Sequence, residues 1–486
     1  MEVKKVRRKT KVTADMDLYN GKLSLKEKIF YSFGELGQNF ALQMIMAFLS
    51  VYLTDVALIP AATLGAFIII VKLLDSFTDI LAGITVDSIH FKFAEKWKNG
   101  GKFRPLLLVY TPISALLFVL VFCIPTNVSV VVKLTWYAVV TVVNGYFFSV
   151  VNISAMGLMS RMTQNPKERN ALSAIMGMFI MASVIVVTSV VPMINKMIGD
   201  QATGFRVSAI IFNILFVIFT YIQVIFSKER VQVNDEKENN DKKQMKKKYT
   251  FKEAIKIIIA NKALMAFFLT SVCSAVANAV LQGGTVYYLK YYMNDFNLTK
   301  YGLMSALSGA TIFPAIVLAP FIANKIGKKK TYIFALFLMS LLSLSKLFIP
   351  RGDMTTFLAI VPFTGIGTGL FLSLGASVAS DSQEYGEWTT GKRTEGIVAS
   401  ISSSLKKIMT SFAGAIPLFV LGLSGYVANQ KEQPENVLNG ILSVNVYIPA
   451  LLFLIGALVM VFLHPLDKKT LNTMLVELKE RRESKQ

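Results

Sequence analysis

The stretch Ile70-Val71-Lys72-Leu73-Leu74-Asp75-Ser76-Phe77-Thr78-Asp79-Ile80-Leu81-Ala82-Gly83 decides how the chain must fold. It lies within an apolar block over 60–86, long enough to cross a hydrocarbon core of about 30 Å as a helix, yet three charges fall near its middle. On insertion scales each charge at mid-bilayer costs roughly 2.5–3.5 kcal/mol, so three facing lipid would cost on the order of 8–10 kcal/mol. They must therefore face a protein interior or a water-filled cavity, which requires other helices around them. Asp75 and Asp79 stand four residues apart and share a helical face. Two carboxylates that close in a poor dielectric repel, unless one is protonated or a cation lies between them. With Thr78 nearby, this pair of hard oxygen ligands suits Na+ or a shuttled proton. The alternative is an ion-pair lock, Lys72 with Asp75 and Asp79 with a distant lysine.

The surrounding chain repeats such blocks. Of its 486 residues 53% are hydrophobic and 17% charged, and the mean hydropathy is +0.53. A soluble chain of this length would carry more charge. At membrane depth the backbone must bond within its own segment, so the blocks read as helices. Twelve spans are expected at 29–54, 60–86, 105–125, 130–158, 170–195, 204–227, 256–290, 300–323, 330–349, 355–380, 395–426 and 443–464. The net charge of +21 is spread over alternate loops, which argues against nucleic acid as a partner. Lys and Arg crowd both tails and the loops at 87–104, 160–169, 228–256, 324–330 and 381–393. By the positive-inside rule both termini are cytoplasmic, which agrees with an even number of spans. The basic N-terminus lacks an apolar stretch with a small-residue cleavage site, so the first helix acts as its own insertion signal. Cys123 and Cys273 lie in apolar segments as packing residues. With two histidines, His90 and His464, and no Ser/His/Asp set or phosphate-cradling loop, neither a metal centre nor an enzyme is expected.

The polar run 228–255 divides the chain nearly in half. A cytoplasmic tail (1–28), a six-helix bundle (29–227), this linker, a second bundle (256–464) and a cytoplasmic tail (465–486) follow. The halves echo each other. Gly100-Gly101-Lys102-Phe103-Arg104 follows the second span and Lys325-Ile326-Gly327-Lys328-Lys329-Lys330 the eighth, an offset of about 226 residues that also separates the first span from the seventh. Two six-helix halves with such loops match the major facilitator plan, an all-α membrane fold.

Other charges sit where membrane helices rarely carry them. Lys406 and Lys407 fall in the eleventh span, where one faces the cavity or both snorkel to the interface. Glu35 in the first span is a cavity residue or lies near its cytoplasmic end. Asp87 ends the second span, to pair with a basic loop residue such as Arg104 or to cap a neighbouring helix. Asp381, Glu384, Arg393 and Glu395 lie between the tenth and eleventh spans, as a cytoplasmic gate of breakable ion pairs or as a solvated loop.

In this order the residues resemble the glycoside–pentoside–hexuronide:cation symporters, the melibiose-carrier-like family. The resemblance covers most of the chain. It is carried by Tyr31-Ser32-Phe33-Gly34, Asp75-Ser76-Phe77-Thr78-Asp79, Gly101-Lys102-Phe103-Arg104-Pro105, Tyr287-Tyr288, Glu384-Tyr385-Gly386-Glu387, Arg393-Thr394-Glu395 and Lys407. It implies that Asp75 and Asp79 bind Na+, H+ or Li+, with Ser149 lining the cation site and Lys407 close to it. On the sugar side the match departs. Asn39 and Asn152 stand where melibiose-type members carry aspartates, Met156 replaces a stacking tryptophan, Gly177 replaces an arginine, and Ile80 replaces the proline usual after the second aspartate. Asparagine still hydrogen-bonds hydroxyls, so a polyol-like ligand fits, but not an α-galactoside held in the same manner. The substrate set is Asn39, Lys72, Asn152, Met156 and Tyr287, with Tyr146 and Phe147 as further aromatics.

The function expected is symport of a sugar or glycoside with Na+ or H+ by alternating access in the cell membrane. It needs no cofactor beyond the coupling ion and is carried out by a monomer. One alternative keeps the carrier and changes the cargo to a lysolipid or organic anion. Another is a non-transporting sensor or a channel.

Overall fold

The computed structural model describes residues 22–89, 101–125, 127–163, 165–230, 261–294, 298–390, 409, 412–430 and 432–483. Long helices account for nearly all of them. They are α1 (Leu25–Val56), α2 (Ala61–Ser88), α3 (Phe103–Val121), α4 (Val130–Met162), α5 (Pro166–Ile198) and α6 (Gln201–Phe226). After the linker come α7 (Lys262–Tyr292), α8 (Leu298–Ile326), α9 (Lys328–Phe348), α10 (Met354–Thr390), the short α11 (Ile416–Leu423) and α12 (Glu435–Phe462). A final helix, α13 (Lys468–Glu483), lies within the expected tail 465–486.

Among the described residues, ten helices are long and apolar enough to cross a membrane. The helix α2 has the length but carries Lys72, Asp75 and Asp79 in its centre. Half of the eleventh expected span, 395–426, lies outside the described residues, as does the start of the seventh, 256–260. The Gly- and Ser-rich tenth span is one unbroken helix that continues past its expected end.

The chain divides into two compact units, Met1–Ile59 with Ile70–Asn239, and Pro60–Ile69 with Asn240–Gln486. In the first, α1 packs on α5 and α6, and α3 packs on α4 and α6. In the second, α7 packs on α12, and α9 packs on α10 and α12. The pairings repeat at an interval of six helices, so each unit solves the same packing problem in the same way. The first core gathers Tyr31, Phe118, Val150, Leu158 and Phe216; the second gathers Tyr332, Leu336, Leu374, Phe453 and Met460. Buried hydroxyls answer backbone carbonyls across helices. Tyr31 donates to Ala155 at 2.6 Å and Tyr52 to Phe122 at 2.7 Å, while Ser340 donates to Ala450 at 2.8 Å. Lipid offers such groups no partner, so each bond fixes a helix register.

The helix ends of the first unit are tied by charge. Ser24 and Glu27 form a capping box at the start of α1. Lys28 pairs with Glu168 at 2.7 Å, and Arg230 pairs with Glu27. Glu229, just beyond α6, closes the start of α3. Its carboxylate accepts from Lys102 N and Phe103 N at 3.0 Å each and from Arg104 N at 3.2 Å. This satisfies donors that a helix N-terminus leaves open and places a negative charge on the positive end of its dipole. Gly101 makes the approach possible, since with φ +35° any Cβ there would lie 2.0 Å from the Glu229 carboxyl carbon.

Glu229→Ala removes three charge-assisted bonds and should cost about 1–3 kcal/mol. Thermal unfolding in detergent measures it; an unchanged midpoint would show that the cap contributes nothing.

Candidate functional site

Asp75 and Asp79 lie on α2 against α4, within the first unit. Ser149 of α4 donates its hydroxyl to Asp79 Oδ1. One turn earlier, Asp75 Oδ1 lies against Gly145, where a Cβ would come within 1.7 Å of it. Steps of four residues on both helices (75 to 79, 145 to 149) show that α2 and α4 run parallel and in register here, one carboxylate per turn. Thr78 donates to the Asp75 carbonyl at 2.7 Å and reaches Asp75 Oδ1 at 3.4 Å. Lys72 Nζ stands 3.8 Å from Asp75 Oδ2, an ion pair beyond hydrogen-bonding length.

The Asp75 and Lys72 side chains are 19% and 32% exposed, whereas Thr78 and Ser149 are buried. The charges thus open onto accessible space while neutral hydroxyls face the packed side. Carboxylate oxygens from two successive turns, supplemented by Thr78 and Ser149 hydroxyls, form an oxygen-rich set suited to a hard monovalent cation or a proton.

The stripe continues along α4. Gly145, Ser149, Asn152 and Met156 fall on one helical face by their spacing. Asn152 is exposed and Met156 is 63% exposed, so the stripe runs from the buried carboxylate partners to open polar and thioether groups. Gly177 on α5 has nothing within 4 Å of its Cβ position. Asn39 is half-buried and donates to the Glu35 carbonyl on its own helix at 2.9 Å. Tyr146 packs edge-on to Tyr110 and shares a 2.8 Å hydrogen bond with Thr85 on α2; Phe147 packs against Tyr110. Tyr287 belongs to the second unit, where it is buried edge-on to Tyr426 at 5.6 Å.

The expected gating residues fall in both units. Arg104 Nε donates to the Val224 carbonyl at 2.9 Å, which ties α3 to α6. In the second unit Asp381 pairs with Lys328 at 2.7 Å, and Glu384 lies half-buried one turn further along α10. The side chain of Asp87 lies outside the described residues, as do Arg393, Glu395, Lys406 and Lys407.

Gly145 and Glu229 were missed in the sequence. Gly145 could have been found as the small residue one turn before Ser149 on the same face. Nothing in the spacing of Glu229 marks it as the cap of a helix more than a hundred residues earlier.

The family model for MFS/sugar transport proteins matches residues 30–468. The chain is 30% identical over 471 residues to a glucuronide carrier protein homolog of Escherichia coli (strain K12), covering 96% of this chain and 98% of that one. It is 29% identical over 450 residues to the isoprimeverose transporter of Lactiplantibacillus pentosus, covering 91% and 89%. Among solved structures, that of a D-xylose-proton symporter is similar, with a TM-score of 0.63, 13% identity and coverage of 90% and 98%.

Ser149→Ala leaves the half-buried Asp79 carboxylate short of a donor. It should cost about 1–3 kcal/mol, well beyond the effect of the exposed Ser160→Ala control. Midpoints from thermal unfolding compare the two, and equal midpoints would contradict the bond.

Proposed function

Because this chain belongs to the MFS/sugar transport protein family, we propose that it is a multi-pass membrane symporter moving a sugar or glycoside together with Na+ or H+. It is a carrier and not an enzyme, and its helices have the major facilitator fold. The relatives named for glucuronide and isoprimeverose support a glycoside or hexuronide as the cargo. The observation that carries the coupling is the α2–α4 contact, in which Asp79 receives the Ser149 hydroxyl and Asp75 lies against Gly145. Two carboxylates one turn apart at membrane depth hold a cation more easily than they hold each other. Binding the cation removes their repulsion, and the site then tolerates the conformational change that carries solute across.

On the solute side, Asn152 and Met156 continue the same α4 stripe, so the cargo is held within reach of the cation site. Asn39, Lys72 and Tyr287 complete the set, with Asn39 and Asn152 suited to hydroxyls. The halves 29–227 and 256–464 alternate in access, and the family resemblance adds Lys407 to the cation-site set. The basic loops support cytoplasmic termini in the cell membrane. The chain works as a monomer.

Asp75→Asn and Asp79→Asn should each abolish accumulation of a labelled glucuronide or xyloside against its gradient, while the protein remains in the membrane. Normal concentrative uptake by both variants would sink the assignment. Gly145→Ala pushes the Asp75 carboxylate aside without removing it, so the cation concentration needed for half-maximal uptake should rise about tenfold. An unchanged cation dependence would place the ion elsewhere.

A further inference from the structure

A cavity of about 190 Å³ opens in the second unit where α8 turns into α9 and α12 gives way to α13. Lys328, Lys329, Lys468 and His464 line it, with Asp381 and Asp467 as the acids. Lys328 is neutralised by Asp381 at 2.7 Å. The other two lysines are used differently. Lys329 donates to the carbonyls of Val461 and His464. Lys468 donates to those of Asn324 at 2.8 Å and Lys325 at 3.4 Å. A carbonyl accepts a hydrogen bond without cancelling charge, and an ammonium has three donors. Both lysines therefore keep their positive charge while lining the cavity. Asp467 lies near enough to Lys329 to temper that field, but its Oδ1 accepts from Thr470 N at 2.7 Å as the cap of α13.

His464 supplies an independent observation. It is 4% exposed, and its Nε2 meets the Ser382 hydroxyl at 3.2 Å. Its ring lines the cavity, within the field of the Lys329 ammonium. Burial first, and the Lys329 charge second, hold the imidazole pKa down to about 4.

We propose that this cavity is a binding site for a phosphoryl-type anion, held by Lys329 and Lys468 beside His464. A soluble phosphorylated metabolite and a phospholipid headgroup offer the same chemistry. The site is separate from the α2–α4 carboxylates, and its test does not depend on transport. A bound anion offsets the Lys329 field at His464, so the imidazole becomes easier to protonate.

The chain has two histidines, so full-length His90→Gln protein labelled with 15N-histidine reports on His464 alone. It is placed in nanodiscs of phosphatidylcholine and titrated with inorganic phosphate, with glucose 6-phosphate, and with chloride at matched ionic strength. A second set of nanodiscs contains phosphatidylglycerol. Saturable movement of the His464 resonance by phosphate or glucose 6-phosphate, with its pKa raised by about one unit, supports the site and a soluble ligand. The same change produced by phosphatidylglycerol alone supports it with a headgroup as the source. In either case Lys329→Gln with Lys468→Gln should weaken the response about tenfold. No response to any phosphoryl group, or one that chloride reproduces, overturns the proposal, and so does a response that survives the double substitution.

Discussion

A carboxylate inside a membrane-spanning helix has to be answered by polar groups from its neighbours, because lipid provides none. The first unit is organised around that demand. The helix α2 brings Asp75 and Asp79 one turn apart, and α4 meets them in register, with a hydroxyl for one and a bare backbone for the other. A side chain at position 145 would occupy the space of the Asp75 carboxylate, and the loss of the Ser149 hydroxyl would leave Asp79 short of a donor. The position of α4 is set in turn by α3, and α3 by α6. At its end α3 is pinned by Glu229 on its first backbone N–H groups and by Arg104 on the Val224 carbonyl. The α2–α4 contact thus depends on bonds made at the helix ends.

The second unit applies the same division of labour. Aromatic and small residues pack its middle, while ion pairs and carbonyl-bound lysines hold its ends. Met474 and Leu478 of α13, with the preceding Leu466, pack against Ala263, with Tyr385 and Trp388 alongside. Trp388 Nε1 donates to Glu477 at 2.7 Å. The C-terminal helix is therefore built into the end of α10, beside the Lys328–Asp381 pair.

Much of this was legible in the sequence because crossing lipid imposes a length and a polarity that few other segments share. The expected ends of α1, α3, α8 and α9 fall within a few residues of those observed. The charged faces of α2 could be read from the price of burying Lys72, Asp75 and Asp79 in lipid. What could not be read is how separate helices register. The pairing of Gly145 with Asp75, and the cap that Glu229 places on a helix 126 residues earlier, leave no periodic trace. The helix α13 escaped for another reason. Its Lys- and Glu-rich composition resembles a solvated tail, and only Met474, Leu478 and the preceding Leu466 mark the face it buries. The resemblance to the cation symporters placed Ser149 beside the carboxylates, where the structure has it donating to Asp79. It also offered Asn39 as a sugar ligand, and the Asn39 amide nitrogen donates to the Glu35 carbonyl of its own helix.

The central claim is that the oxygen-rich set of side chains on α2 and α4 converts a cation gradient into movement of solute. Purified wild-type protein in sealed proteoliposomes, preloaded without cargo, tests it most directly. A labelled glucuronide or xyloside is supplied outside under an inward Na+ gradient, an inward proton gradient, or neither. The account predicts that one gradient drives internal cargo above the external concentration and that collapsing it with an ionophore returns the two to equality. Simple equilibration under every condition, with the same rate and endpoint whether or not a gradient is present, would contradict it.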